Sequence, residues 1–213
     1  PDNAIPTNTG IPVVKIYTNG TSINADSRIT ADFQILNSST SNYTTGTLYN
    51  GKVGIKIRGF SSQIHPKKSY SVELRDAAGE NNPQPLLGMP AEQDWALIAN
   101  YSDKSLMRNQ LAYELSQQLG NYAAKSKHVE VYLNDQYLGN YLLVETVKRD
   151  KSRVDISKLS ADEADQVEPN ISGGYLLELM HNERLKDEKY FTTSMLPNKV
   201  FVFKYPNNDD VTA

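Results

Sequence analysis

The chain has 213 residues, a formal net charge of -3 at pH 7 and no cysteine. These totals exclude disulfide scaffolds, cysteine-based zinc sites and thiol nucleophiles. The mild acidity also argues against nucleic acid as a partner, because phosphate backbones need a clustered basic face. No stretch approaches the roughly 18 apolar residues of a spanning helix, so no membrane span is expected.

The first half of the sequence predicts β-strands. Residues 12–17, 29–36 and 94–99 are short apolar or loosely alternating runs, and residues 52–58 and 68–74 alternate between apolar and polar side chains. Such alternation is typical of half-buried strands, in which successive side chains point to opposite faces. In the run at 52–58 the core face is predicted to carry Val53, Ile55 and Ile57, and the solvent face Lys52, Lys56 and Arg58.

One long helix is predicted after a connector rich in glycine, proline and asparagine at residues 77–90. Ser102 or Asp103 is a suitable N-cap residue, and Gly120 is typical of a helix C-terminus. Apolar residues recur every four positions between these ends, which predicts a stripe packed on the core. The stripe consists of Met107, Leu111, Leu115 and Leu119, flanked by Leu106 and Ala112.

The second half predicts a hairpin and two later strands. Residues 129–133 and 137–144 flank the turn dipeptide Asn134-Asp135. The charged stretch 148–168 suggests one or two short helices, and residues 175–179 and 200–205 suggest strands. Strands grouped around one main helix predict an α+β fold with a mostly antiparallel sheet.

Familiar catalytic motifs are absent from the sequence. There is no phosphate-binding P-loop, no dinucleotide-binding glycine motif and no His-Glu-x-x-His. The three histidines, His65, His128 and His181, have no metal-ligand spacing. Hydrolase and metalloenzyme interpretations therefore have no support.

The segment from Arg58 to Lys68 has features of an anion site. Its loop carries Gly59, Ser61 and Gln63, and small residues of this kind let backbone donors approach an anion. Lys68 shares a face with the apolar side chains that follow it, where an unpaired ammonium is costly. Either its stem reaches solvent, or an acid or a bound phosphate compensates its charge.

Charged residues further along the chain have two interpretations each. Asp103 has a sufficient explanation as a helix cap, whereas Arg108 could clamp a carboxylate or a phosphate. Glu114 is an acid on the predicted helix, and in kinases a helix glutamate pairs with the strand lysine; spacing does not show whether it faces Lys68. Glu145 closes an apolar strand, and its simplest interpretation is a strand-end charge.

An ordered set of motifs resembles the CotH family, the spore-coat-protein-H-like atypical protein kinases. The resemblance covers about residues 50 to 180. The motifs are Arg58-Gly59-x-Ser61-Ser62, Pro66-Lys67-Lys68-Ser69-Tyr70, Leu86-Leu87-Gly88-Met89-Pro90, Asp94-Trp95-x-Leu97, Asp103-Lys104-x-Leu106-x-Arg108-Asn109, Val131-Tyr132-Leu133-Asn134, Tyr137-x-Gly139-x-Tyr141-x-Leu143-x-Glu145 and Gly173-Gly174-Tyr175.

This resemblance implies the N-terminal lobe of a divergent kinase-like fold. It implies ATP as phosphate donor, Mg²⁺ or another divalent metal, and a protein Ser or Thr as acceptor. By motif, Lys68 would hold the ATP phosphates, with Arg58, Gly59 and Ser61 in the loop over them. Glu145 would lie near the hinge that borders the adenine. The supporting residues would be Asp103, Arg108, Asn109 and Glu114, of which Arg108 and Asn109 would hold the helix against the cleft.

The sequence also departs from the family pattern. CotH-like proteins carry their metal-binding and catalytic acids in a later helical half, and this chain ends before such a segment. We therefore expect no catalytic or metal-binding residue here and no phosphoryl transfer by this chain alone, although the parent would be an atypical kinase. Residues 1–50 would form an N-terminal β segment packing on the lobe, and residues 51–213 the truncated CotH-like nucleotide-binding portion.

A second interpretation keeps the fold without the chemistry. The chain would then be a non-catalytic cell-surface or extracellular binding and assembly module, because fold does not determine activity. Its 13 tyrosines and many Asn, Ser and Thr residues favour an exported or cell-surface bacterial protein, with a cytoplasmic location left open. The acceptor protein and the oligomeric state cannot be read from the sequence.

Overall fold

The computed structural model describes residues 10–37, 46–158, 174–185 and 187–206. The chain divides into two units, Pro1–Thr146 and Val147–Ala213. No helix is seen in residues 148–158, the described part of the stretch 148–168 that was predicted to contain one or two short helices. Residues 159–168, and the first glycine of the motif at residues 173–175, lie outside the described residues.

The first unit contains nine strands and one α-helix among its described residues. In chain order they are β1 Val13–Tyr17, β2 Ile29–Leu36, β3 Thr47–Arg58, β4 Ser69–Arg75, β5 Gln84–Leu86, β6 Met89–Glu92, β7 Asp94–Ile98, α1 Arg108–Gln118, β8 Ser126–Leu133 and β9 Gln136–Glu145.

Seven of these strands form a closed barrel in the order β1-β2-β3-β4-β7-β9-β8. The barrel closes because β1 pairs antiparallel with β2, where Val13 faces Leu36, and parallel with β8, where Val13 faces Glu130. Closure leaves no unpaired strand edge in this sheet. The two short strands β5 and β6 form a separate hairpin within the predicted connector. Strands before and after residue 50 belong to the same barrel.

The core of the first unit is the barrel interior. Alternate side chains of every barrel strand point inward, and these positions are almost completely removed from solvent. The strand alternation predicted from the sequence is confirmed, because Val53 and Ile55 are fully buried and Ile57 packs against the core. The largest buried side chains include Phe33, Ile35, Leu74, Trp95, Leu97, Tyr141 and Leu143.

The predicted α+β class, with one long helix on a kinase-like N-terminal lobe, is wrong. The structure is mostly β, and the one α-helix in the described residues is only 11 residues long. The helix begins at Arg108 rather than near Ser102, and none of its residues is buried. Leu111 and Leu115 are 55% and 50% exposed. The physical reason is that strand side chains already fill the barrel, so the helix lies on its outside.

Two local predictions are confirmed. Gly120 follows the helix with a φ of +80°, a left-handed conformation that glycine adopts without strain. The hairpin between β8 and β9 turns at Asn134 and Asp135, whose φ angles are 49° and 61°. Two consecutive left-handed residues are typical of the tight turn that matches strand twist.

The second unit contains a three-stranded antiparallel sheet among its described residues. Its strands are β10 Leu176–His181, β11 Tyr190–Phe191 and β12 Lys199–Tyr205, in the order β10-β12-β11. Met180, Val200 and Val202 form a small buried cluster on this sheet. Phe191 stacks on Phe201 with ring centroids 5.0 Å apart. No helix in the described part of the chain is long and apolar enough to cross a membrane.

Candidate functional site

A cleft of about 340 Å³ lies where β3 ends and β4 begins. Arg58 and Ser69 are paired across these strands and stand on the outward face, since their neighbours Ile57 and Tyr70 point toward the core. The cleft is lined by Arg58, Gly59, Ser62, His65, Lys67, Ser69, residues 98–103 and Asn109.

One wall of the cleft is a flap formed by residues 59–65. Gly59 has a φ of +106°, and a β-carbon at this position would overlap the Ser62 hydroxyl oxygen. The Ser62 hydroxyl can rotate away from an added β-carbon, so the left-handed φ is the requirement that favours glycine here. The side-chain amide of Gln63 donates a 2.5 Å hydrogen bond to the Gly59 carbonyl and closes the turn. Ser61 begins this turn and is exposed; Ser62 rather than Ser61 lines the cleft.

The opposite wall is the segment that leads into α1. The ring of His65 stacks on Tyr101 with centroids 4.9 Å apart, and the Ser102 hydroxyl lies 3.1 Å from the His65 Nε2 atom. These contacts join the flap to the second wall. The side-chain amide of Asn109 donates a 2.7 Å hydrogen bond to the side-chain oxygen of Asn100, so Asn109 joins the start of α1 to the cleft.

Arg58 brings an uncompensated positive charge to the cleft. Its guanidinium makes no ion pair or hydrogen bond with any residue that the structure describes. The side chain remains exposed along part of its length, while desolvation lowers the pKa of the guanidinium. An arginine starts from a pKa above about 12, so it stays charged at physiological pH. Arg58 is therefore available to an anionic ligand.

Lys67 is the second cation of the cleft. Its ammonium donates a hydrogen bond to the Asn140 carbonyl and lies 4.3 Å from the centre of the Tyr141 ring. Burial lowers the pKa of Lys67, and the negative charge of Glu130 acts in the opposite direction. These contacts hold the half-buried ammonium in place beside Arg58 at the cleft.

Lys68, the residue just before β4, does not line the cleft of Arg58. Its ammonium donates a 2.7 Å hydrogen bond to the Gln63 carbonyl, and its side chain borders a separate cleft of about 370 Å³. The predicted neighbourhood of Lys68 is thus only partly observed, because it contacts the flap but does not line the cleft of Arg58. Its assignment to the phosphates stays a prediction.

Glu145 and Glu114 do not meet Lys68. The Tyr141 hydroxyl donates to the Lys68 carbonyl at 3.0 Å, whereas Glu145 lies four residues further along β9, about 13 Å away at the usual strand rise. Glu145 is 3% exposed and accepts a 2.9 Å hydrogen bond from the Lys125 amide. Glu114 accepts a 2.8 Å bond from Gln110 on its own helix. The structure does not bring these acids to the cleft.

Asp103 lines the cleft, but its carboxylate is hydrogen-bonded to neighbouring residues of its own segment. One carboxylate oxygen accepts hydrogen bonds from the Ser105 hydroxyl and amide, and the other accepts the Arg108 amide at 2.8 Å. Hydrogen bonding by Ser105, followed by that of the Arg108 amide, lowers the pKa of Asp103. The Arg108 side chain is 79% exposed and lies 3.6 Å from Asp103. Asp103 therefore ties the turn before the helix to Arg108, the first helical residue, and the Arg108 side chain does not line the cleft.

The cleft does not fit a divalent metal. Among the described lining residues Asp103 is the one acid, and both of its oxygens are engaged. The described parts of the chain contain no group of three or more His, Asp or Glu residues placed to hold a metal ion. Hard cations such as Mg²⁺ require oxygen ligands, usually carboxylates. The arrangement of two cations and a glycine turn fits an anion instead.

Sequence analysis missed Lys67, His65 and Tyr101 as parts of the cleft. A signal for Lys67 existed in the sequence, because the alternation over residues 67–74 groups Lys67 with Ser69, the first residue of β4. Arg58 pairs with Ser69 across the hairpin, so the face of Ser69 also carries Arg58. No comparable pattern predicts that His65 stacks on Tyr101, because both residues lie outside the regular strands.

The fold is a closed β-barrel, and its cleft is lined by Arg58, Lys67 and a glycine turn. The model of the CotH kinase protein family matches residues 55–199, which is more than half of the chain. The chain therefore belongs to the CotH kinase protein family, and the resemblance that its motifs indicated is confirmed. No curated protein matches the chain.

Proposed function

We propose that this chain is the nucleotide-binding part of a CotH-type kinase and that the phosphates of ATP bind in the cleft of Arg58 and Lys67. The observation that carries the proposal is the Arg58 guanidinium, which has no anionic partner among the described residues and stands beside the held ammonium of Lys67. A guanidinium binds phosphate oxygens through two parallel hydrogen bonds, and an ammonium adds a point charge.

The flap supports the same ligand. The glycine turn at Gly59 lets backbone amides approach an anion closely, and the Ser62 hydroxyl lies in the same wall. Lys68 donates to the Gln63 carbonyl, so it supports the flap from the opposite face. We propose that Lys68 contributes to nucleotide binding at least through this support.

Phosphoryl transfer needs more than this cleft provides. The reaction depends on positioning and on metal ions that neutralise the developing charge. Because the described lining residues do not fit a metal, we expect this chain by itself to bind nucleotide without transferring phosphate. Transfer to a protein Ser or Thr, and an exported or cell-surface location, are proposals for the intact protein that rest on its family and its composition.

Calorimetric titration of ATP into the whole chain, with and without Mg²⁺, tests the proposal. Binding should be saturable, and Arg58→Ala and Lys67→Ala should each weaken it. Lys52→Ala is a matched control, since Lys52 lies on the same strand six residues from Arg58 and pairs with Asp32. Equal affinity in all four proteins would reject the cleft as the nucleotide site.

A second candidate is a non-catalytic binding and assembly module. The exposed apolar stripe of α1 favours it, because Met107, Leu111 and Leu115 are each at least half exposed. This candidate predicts that ATP produces no saturable heat. The titration above therefore separates the two functions.

A further inference from the structure

The cleft beside Lys68 is a distinct cavity at the end of the barrel. Ile57 and Tyr70 line it from β3 and β4, whereas Arg58 and Ser69, one position away on each strand, line the cleft described above. Its volume of about 370 Å³ falls in the range of small-molecule sites. Neighbouring positions on the two strands thus serve different cavities.

The lining of this cavity is amphipathic. Ile57, Tyr70 and Leu133 provide apolar surface, and all three belong to or pack against the barrel core. Burial raises the pKa of the Tyr70 hydroxyl, as expected for a poorly hydrated floor. Thr21 and Ser22 supply hydroxyl groups to the lining. Together these groups favour a ligand with a short apolar body and a polar head.

One wall of the cavity is held by a pair of polar side chains. The side-chain oxygen of Asn134 accepts a 2.9 Å hydrogen bond from the backbone amide of Thr18, and the side-chain amide of Asn134 donates to the Thr18 hydroxyl at 3.1 Å. Thr18 is buried, so this wall is fixed before any ligand arrives. A preformed wall lowers the entropy cost of binding.

Lys68 gives the cavity a single positive charge. The described lining residues include no Asp or Glu, and Lys68 makes no ion pair with any described residue. Its half-buried ammonium has three protons, of which one is donated to the Gln63 carbonyl. A partly buried ammonium without a counter-charge is costly, and a bound anion would offset that cost.

We infer that this cavity binds a small organic carboxylate, with the carboxylate on Lys68 and a short hydrocarbon body against Ile57 and Leu133. A monoanion matches the one cation of the lining, and the hydroxyls of Thr21 and Ser22 can donate to the remaining carboxylate lone pairs. The site does not depend on the proposed nucleotide function, because neither Arg58 nor Lys67 lines it.

Nuclear magnetic resonance titration of the whole chain with butyrate tests this site. The matched probes are butanol and butylamine, which keep the hydrocarbon body and change only the head group. We expect butyrate to shift the amide signals of residues 18–23 and 68 and to bind about tenfold more tightly than either probe. If the wild-type chain bound butanol as tightly as butyrate, or if the signal shifts were confined to other residues, the inference would be overturned.

Substitution of Lys68 then tests whether its ammonium is the group that binds the carboxylate. Lys68→Met, which keeps the length of the side chain, should weaken butyrate binding about tenfold. Lys56→Met is the control, because Lys56 lies next to Ile57 but lines neither cavity. Unchanged butyrate affinity in Lys68→Met overturns the inference. A wild-type chain that binds ATP but not butyrate would reject this site alone, and one that binds butyrate but not ATP would reject the nucleotide proposal alone.

Discussion

The ammonium of Lys68 donates a 2.7 Å hydrogen bond to the backbone carbonyl of Gln63. The Gln63 side chain in turn donates to the Gly59 carbonyl, so one residue connects the lysine to the glycine turn of the cleft. Lys67, the preceding residue, reaches Asn140 and the ring of Tyr141 instead. Two neighbouring lysines therefore line two different clefts.

Substitution of Gly59 by alanine should damage the flap. The new β-carbon would overlap the Ser62 hydroxyl, and the φ of +106° is itself strained for alanine, at a cost of about 1–3 kcal/mol. Gly79→Ala is the matched control, because Gly79 has a φ of +90° with open space around it. We expect nucleotide affinity, measured by calorimetry, to fall for Gly59→Ala only. Equal losses in both variants would show that the Ser62 overlap has no role.

Leu143 and Leu115 should respond very differently to truncation. Leu143→Ala removes a fully buried barrel side chain and should lower the free energy of unfolding by about 2–5 kcal/mol. Leu115→Ala removes a side chain that is half exposed on α1, so its effect should stay within about 0.5 kcal/mol. Urea denaturation followed by circular dichroism measures both. A large loss for Leu115→Ala would mean that the helix packs in solution.

The contribution of Asp103 to stability should depend on pH. Hydrogen bonds, led by that of Ser105, lower the folded-state pKa of Asp103 below its usual value of about 4. A carboxyl group with a lowered folded-state pKa stabilises the fold when the pH is above its unfolded-state pKa. This stabilisation is lost as the pH falls through the folded-state pKa. Wild type should therefore be more stable than Asp103→Asn at pH 7, and urea denaturation should show the difference shrinking below about pH 4.

A pH-independent difference between wild type and Asp103→Asn would contradict this account. It would mean that the carboxylate charge is not what the Ser105 and Arg108 groups stabilise. Asp26→Asn is a suitable control, because Asp26 is exposed and its carboxylate accepts no hydrogen bond from any described group.

The strands could be predicted from the sequence, but the barrel could not. Alternation along β3 and β4 depends on local residue order, so the inward and outward faces were predicted correctly. Closure depends on the parallel pairing of β1 with β8, which joins residues more than 100 positions apart. Nothing in the local pattern of Val13 or Glu130 identifies the other as its partner.

The helix was misjudged for a related reason. A stripe such as Leu111 and Leu115 predicts an apolar face but not what covers that face. In the structure Tyr113, between these two leucines, packs against the barrel surface near Ala124, and the stripe stays exposed. Because the barrel core is complete without α1, tertiary packing decided the orientation of the helix.

The candidate site was partly predictable. The motif residues Arg58, Gly59, Asp103 and Asn109 do line one cleft. Glu145 belongs to the same ordered motifs but lies at the far end of β9, away from the cleft. The order of motifs in the sequence could not predict this separation, because it carries no information on distance along a strand. The stacking of His65 on Tyr101 joins two loops whose conformations have no periodic signal.

The central claim is that Arg58 and Lys67 hold the phosphates of a nucleotide, and titration of ATP into wild type, Arg58→Ala, Lys67→Ala and Lys52→Ala tests it most directly. Loss of one charge-assisted contact should weaken ATP binding about tenfold or more in the first two variants. The Lys52 variant should match wild type, since Lys52 is engaged by Asp32 away from the cleft. Absence of saturable ATP binding, or equal affinity in all four proteins, would contradict the claim.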